Sequence, residues 1–267
     1  MAFTTLAFAD SPADSVLIVP KVLVGRRDGV TWMTTVGGHS AIARQPVTAP
    51  HGVRYSSGAV NDGAHRRSVA VAVDRIRAGE LRKVVLARDL IATADMPLDE
   101  RYLLVRLAER FPNCWAYAVA GLIGATPELL LSREAETVSA RTMAGTTWPR
   151  SGRSGEAELT QELLTSAKNR EEHQHAVRSL VENLSPFCSS LDVAPEPRVV
   201  HLSNVSHLVS DIRGTLAANT SLLELTAAVH PTAAVCGAPT PEAMRLIDAL
   251  EGLVPRPETF ALLGGHP

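Results

Sequence analysis

The sequence predicts an α+β fold, with antiparallel sheets and flanking helices. Strand-like runs occur in groups, and the helical segments between them are irregularly spaced, unlike the regular alternation of a parallel α/β sheet. The first third holds two short β-branched runs split by a hairpin-type turn. No G-x-G-x-x-G or G-x-x-x-x-G-K-[ST] motif occurs, so neither a dinucleotide-binding nor a P-loop layout has support.

Taken in order, VLIVPKVLVG (16–25) and VTWMTTVGG (30–38) read as strands joined at Arg26-Arg27-Asp28-Gly29. Residues 39–62 are rich in Gly, Pro, Ser, Ala and His without periodicity, and read as a loop. HRRSVAVAVDRIRAGE places Val69, Val73 and Ile76 on one helical face, with Gly79 set to stop the helix. LRKVVLARDLIAT reads as a strand, and LDERYLLVRLAERF as an amphipathic helix closed by Pro112-Asn113. Three strand-like runs follow: CWAYAVAG, ATPELLLSRE and ETVSARTMAG. TTWPRSGRSGE is a polar loop whose Ser151-to-Gly155 stretch comes nearest to a phosphate loop and reads as a connector. A long helical segment spans about 156–184, and RVVHLSNVSHLVSDIRGTL returns to β. SLLELTAAVH and PEAMRLIDALEG are helical, on either side of a turn region from Pro231 to Pro239. There is no internal repeat.

Composition bounds the function. With 267 residues, 45% hydrophobic and 20% charged, the chain can bury a core and is not disordered. Lys plus Arg at 26 against Asp plus Glu at 28 leaves a net charge of −2, with no electrostatic footprint for nucleic acid or an anionic membrane. Three Tyr, three Trp and five Phe are too few for base-stacking platforms. Cys114, Cys188 and Cys236 form no C-x-x-C pair and read as reduced, buried small hydrophobes. The first residues carry no basic segment, and no apolar run reaches the roughly 18 residues of a spanning helix. The expected location is cytoplasmic.

A few residues could carry chemistry. SAKNREEHQHAV is the densest polar cluster: Glu171 and His175 are four apart, and Glu172 and His175 three apart. Two readings fit it, a solvated face with Lys168–Glu172 and Glu171–His175 pairs, or an oxygen-rich Mg²⁺ site centred on Glu172. Lys83 lies in an otherwise apolar strand, either snorkelling from an edge or desolvated, with a lowered pKa that would let it act as a base. Glu128 follows Pro127 at the start of PELLL; it is either an ordinary strand-end carboxylate or an acid whose pKa a low-dielectric site raises. His207 alternates with apolar neighbours, the pattern of a satisfied core histidine.

In order, six segments resemble the chorismate-utilising enzymes: isochorismate, salicylate, anthranilate and aminodeoxychorismate synthases. They are KVVLAR (83–88), GATPELLLSRE (124–134), MAGTTWPR (143–150), SAKNREEHQHAV (166–177), VVHLSNVSHLVSDIRG (199–214) and HPTAAVCGAPTPEA (230–243). The resemblance covers 81–252 most strongly and implies a single chorismate-binding domain over 1–267, with 1–63 as a variable N-terminal part. It is similar to isochorismate synthase, particularly the menaquinone-pathway type. The implied reaction is Mg²⁺-dependent: water adds at C2 of chorismate and the C4 hydroxyl leaves. In that resemblance Lys83 matches the lysine that activates water, Glu128 the acid and Glu172 a Mg²⁺ ligand. Gly145 and Thr146 match the loop lining the substrate pocket, and His207, Ala234 and Gly237 its wall. Ala144 stands where the aminodeoxychorismate branch often carries a nucleophilic lysine. Salicylate synthase, which adds pyruvate elimination, is the alternative, as is a catalytically impaired chorismate-binding remnant. The family's G-x-x-G-W strand and its final helix with further Mg²⁺-binding glutamates have no counterpart here. VPRPETFALLGGHP does not match, Glu258 is the only acidic residue in it, and a truncated or frame-altered end is expected, with weak metal binding and open sheet edges.

Overall fold

The hairpin forms where Asp28-Gly29 places it. Both residues take positive φ, 51° and 81°, the geometry of a two-residue turn matched to strand twist. The computed structural model describes residues 3–8, 15–37, 45–149, 155–251 and 261–264. The N-terminal part holds β1 (Phe3–Leu6), β2 (Val16–Ile18), β3 (Val22–Arg27) and β4 (Val30–Thr35). The first strand-like run is therefore two strands, parted around Pro20, which has no N–H for a ladder. Within the region expected to be loop, 45–62 contains β5 (Arg54–Ser57); the segment 38–44 lies outside the described residues.

Helix α1 (Asp62–Arg77) is capped by the Asn61 side chain, which accepts from the Ala64 N–H. Gly79 takes φ 79° just beyond its end, as expected of a stop. On the face expected to be apolar, Val69 and Val73 are exposed while Ile76 is half-buried against the Leu81–Ile247 cluster, and Ala72 is the buried residue of this helix. The expected strand LRKVVLARDLIAT is only β6 (Lys83–Val84) and β7 (Leu90–Thr93). Between them the Ala87 N–H donates to Glu251 Oε1 at 2.6 Å, a side chain in place of a ladder partner. Then come α2 (Glu100–Arg110), β8 (Trp115–Val119), β9 (Leu122–Thr126), β10 (Leu129–Glu134) and β11 (Thr137–Thr147). Pro127-Glu128 splits ATPELLLSRE into the end of β9 and the whole of β10.

The long helical segment is two helices, α3 (Glu156–Thr165) and α4 (Ala167–Leu184). Ser166 breaks it because its hydroxyl caps α4, accepting from the Asn169 N–H at 3.3 Å. The remainder is β12 (Cys188–Val193), β13 (Arg198–His201), β14 (Ser206–Leu216), α5 (Leu222–Val229), β15 (Gly237–Ala238), α6 (Thr240–Glu251) and β16 (Ala261–Gly264). No described helix is long and apolar enough to cross a membrane.

All described strand pairings are antiparallel. The main sheet runs β10-β11-β14-β12, with β13 also on β14. From Ser210 to Leu216 burial alternates strictly, with Ile212 inside and Asp211 and Arg213 outside, the period of a half-buried strand. Its inner face packs Leu131, Val138, Ala140, Ile212 and Leu216 against Leu180 and Leu184 of α4 and Leu225 and Val229 of α5. Each such leucine contributes about 1.5–3 kcal/mol on burial. A second cluster joins Leu81, Cys236, Ala243 and Ile247 beside β6 and β15. Of the cysteines expected to be buried, only Cys236 is; Cys114 and Cys188 are half-buried. Among the described residues, β5, β7 and α2 bury none of their side chains fully.

Candidate active site

Lys83 is fixed by a short, closely apposed strand pair. The Arg82 N–H donates to Ala238 O and the Val85 N–H to Cys236 O, both at 2.8 Å, so β6 lies against β15. Gly237 permits this approach: a Cβ there would sit 2.3 Å from Lys83 O and 2.6 Å from Ala243 Cβ. The lysine is only 8% exposed, so it does not snorkel. Its ammonium donates to Ala233 O at 2.8 Å and faces Glu172 Oε1 at 3.6 Å. Burial pushes its pKa below the ordinary value of 10.5, against the opposing pull of Glu172 and, more weakly, Glu128. Ala234, half-buried, follows the carbonyl that holds the ammonium.

Glu128 sits in the break between β9 and β10. Its Oε1 accepts from the Met143 N–H at 3.2 Å and the Thr142 hydroxyl at 3.4 Å. Burial outweighs these bonds and nearby Lys83, raising the carboxyl to about 7. The strand-end carboxylate in solvent is therefore not what the fold produces. A lysine pushed down and a glutamate pushed up are brought toward each other in pKa, the pattern of a poised base and acid.

Glu172 lies on α4, half-buried, and turns toward Lys83 on a different element. The expected Glu171–His175 pair is present at 3.9 Å on the outer side of the helix. Gly145 takes φ 77° at a bulge in β11, where the register with β14 shifts between Ala144 and Thr146. A Cβ there would lie 2.8 Å from the Asn169 carbonyl, so only glycine lets α4 come this close. Thr146 lies opposite His207 in the register, and its hydroxyl is 2.9 Å from His207 Nδ1. Burial lowers the His207 pKa, while a hydrogen bond to the Gly145 backbone and the charge of Glu172 oppose this. His207 is half-buried and satisfied, and it lies in the same neighbourhood as the bulge.

Lys83, Glu128, Glu172, Gly145, Thr146, His207, Ala234 and Gly237 thus lie along one connected set of elements: β6 with β15, the β9–β10 break, the β11 bulge, β14 and α4. Sequence reasoning missed His173, which is 3% exposed and bonded at both ring nitrogens. A signal was present: His173, Ala176, Leu180 and Leu184 fall at helical spacing, and all four are buried. It also missed Glu251, buried at the end of α6 and bonded to the segment following Lys83.

As for a metal, no group of three His, Cys, Asp or Glu side chains converges among the described residues. Glu172 is a single carboxylate, which fits only the sparse mode in which Mg²⁺ takes one or two carboxylates, with water and substrate oxygens completing the shell. Glu258 lies outside the described residues, as do Ser151 to Ser154 of the Gly/Ser connector.

The family model described as "Chorismate binding enzyme" matches residues 15–255. The sequence is 36% identical over 200 residues to the isochorismate synthase DhbC of Bacillus subtilis, covering 70% of this chain and 50% of that protein. It is 32% identical over 217 residues to the salicylate biosynthesis isochorismate synthase of Pseudomonas aeruginosa, covering 79% of this chain and 45% of that one. In fold it is similar to MenF, the menaquinone-specific isochorismate synthase of Escherichia coli. The TM-score is 0.80 at 23% identity, over 95% of this chain and 64% of that chain. The chain spans about half the length of the curated relatives it matches.

Proposed function

The chain belongs to the chorismate-binding enzyme family, and from that membership we propose that it converts chorismate to isochorismate. The observation that supports this most is the pairing of a buried, pKa-lowered Lys83 with a Glu128 raised to about 7. Isomerisation by hydroxyl exchange needs one group to take a proton and another to give one at the same pH.

In this reading neutral Lys83 takes a proton from the water that attacks C2. The C2–O bond forms, the double bonds migrate across the ring, and the C4–O bond breaks. Protonated Glu128 donates to the departing hydroxyl, which leaves as water. One water enters and one leaves, so the reaction is redox-neutral. Each turnover ends with Lys83 charged and Glu128 ionised, and one proton returned from the lysine to the carboxylate resets both. The Ala233 carbonyl orients the lysine, and the Met143 N–H and Thr142 hydroxyl orient the acid. Gly145, Thr146 and His207 line the substrate side, with Ala234 and Gly237 on the Lys83 side.

Mg²⁺ belongs to this reading with Glu172 as one ligand. When bound it would neutralise substrate carboxylate charge, and no proton step above depends on it. Three relatives are named as 2,3-dihydroxybenzoate-specific, salicylate-biosynthesis and menaquinone-specific enzymes, and each of these three names reads isochorismate synthase. The test is turnover of chorismate by the purified chain with Mg²⁺, products separated chromatographically, beside Lys83→Ala. Isochorismate formed by the parent and lost in the variant supports the proposal. Salicylate and pyruvate as products replace it with the salicylate synthase reading, and chorismate bound without turnover replaces it with a binding role.

A further inference from the structure

His173 occupies a position where helix α4 would ordinarily present an apolar residue. It shares a buried stripe with Ala176, Leu180 and Leu184, so its ring has no water to satisfy it and must find partners in the sheet. Nδ1 is 3.2 Å from the Ala144 carbonyl, and Nε2 is 2.8 Å from the Ser210 hydroxyl. A carbonyl only accepts, so Nδ1 carries the proton and donates to it. Nε2 meets the Ser210 hydroxyl, which can donate or accept as the ring requires. One planar ring thereby ties α4 to two adjacent strands, β11 and β14.

Both anchor points adjoin the acid. Ala144 follows Met143, whose N–H bonds Glu128, and Ser210 lies opposite Thr142, whose hydroxyl bonds the same carboxylate oxygen. Ala144 is also the last paired residue before the Gly145 bulge. On the helix side His173 is the residue after Glu172, which faces the Lys83 ammonium. The ring therefore fixes the helix that carries Glu172 against the strand that holds Glu128.

We propose that His173 is a positioning residue that sets the placement of Glu172, and through it Lys83, relative to Glu128. This rests on the roles given to those three residues under the proposed function. His173 itself takes no proton and touches no reacting atom. A purely space-filling role would be met equally well by another planar ring of similar size, which separates the two explanations.

The test compares the parent chain with His173→Phe, which keeps a ring without hydrogen bonds, and His173→Gln, whose amide supplies one donor and one acceptor. In crystal structures of the three, the Glu172–Lys83 separation of 3.6 Å in the parent is expected to widen by about 1 Å in His173→Phe and to return in His173→Gln. Turnover of chorismate is expected to fall about 100-fold in kcat for His173→Phe, the scale on which a 1 Å misplacement acts. KM stays near the parental value, and His173→Gln recovers most of kcat. An unchanged separation in His173→Phe overturns the proposal, as does an unchanged kcat where the parent turns over. An inactive parent together with a widened separation in the variant keeps the positioning role and removes the isochorismate reading. If His173→Phe does not fold, Ser210→Ala removes the Nε2 partner and is judged by the same two readouts.

Discussion

Replacing Glu128 by glutamine leaves the shape of the side chain almost unchanged and removes its titration. The wild-type carboxyl rises from an ordinary 4.5 to about 7 on folding, chiefly through burial. Between those values the folded chain holds a proton that the unfolded chain has released. The unfolded state then binds fewer protons than the native one, so stability falls as pH rises through the interval. The rise from 4.5 to about 7 corresponds to roughly 3 kcal/mol. Glutamine keeps an acceptor oxygen for the Met143 N–H and the Thr142 hydroxyl, though these bonds lose their charge assistance at high pH. The net expectation is that Glu128→Gln is more stable than the parent by about 1–3 kcal/mol above pH 7 and about equal to it below pH 4.5. Urea unfolding followed by circular dichroism, run on both proteins across that range, measures the difference. The same variant should lose about 100- to 10,000-fold in turnover, the usual worth of a positioned acid. A stability difference that does not change with pH would refute the argument, because the carboxyl would then not be buried in the way described.

Other consequences follow from the same geometry. Gly145→Ala places a side chain at φ 77° and 2.8 Å from the Asn169 carbonyl; urea unfolding should show a loss of about 1–3 kcal/mol, and a parent-like midpoint would contradict the tight helix–bulge contact. Gly237→Ala drives a Cβ into the Lys83 carbonyl and Ala243; it should cost about 1–3 kcal/mol and lower turnover further than that loss explains, because the strand bearing Lys83 is displaced. Glu172→Gln should raise the Mg²⁺ concentration needed for half-maximal turnover by at least about tenfold, since even outer-sphere partners are worth that much; an unaltered Mg²⁺ dependence removes Glu172 from the metal.

The elements that were legible in the sequence are those in which local chemistry and burial agree. Asp28-Gly29 is a strong local hairpin signal that the backbone obeys, and the alternation along β14 marks one face as interior. The breaks at Ser166 and at Pro127-Glu128 were harder to see, because each interrupts an otherwise continuous pattern with a cap or a functional residue. The exposed valines of α1 carry an apolar helical signal that the described residues do not bury. At the site, residue type left Lys83, Glu128 and Glu172 each with a structural alternative, and the resemblance to the chorismate-utilising enzymes singled them out. Their mutual placement depends on pairings across more than 80 residues, such as Lys83 with Glu172 and with Ala233 O, which no local pattern encodes. The helical spacing that marks His173 was masked for a related reason: its neighbours in sequence, Glu172 and Gln174, are polar, while its neighbours in space are a carbonyl and a serine on two strands.

If Lys83 activates a water for attack at C2, the oxygen of that water is retained in the product, and running the reaction in ¹⁸O-labelled water reads it out. Chorismate is incubated with the chain and Mg²⁺, and the isochorismate is isolated and weighed by mass spectrometry, with Lys83→Ala alongside. The parent should give isochorismate carrying one labelled oxygen at C2, and the variant no such product. Isochorismate that retains the unlabelled hydroxyl of chorismate, or labelled product formed at the parental rate without Lys83, would contradict water activation by Lys83.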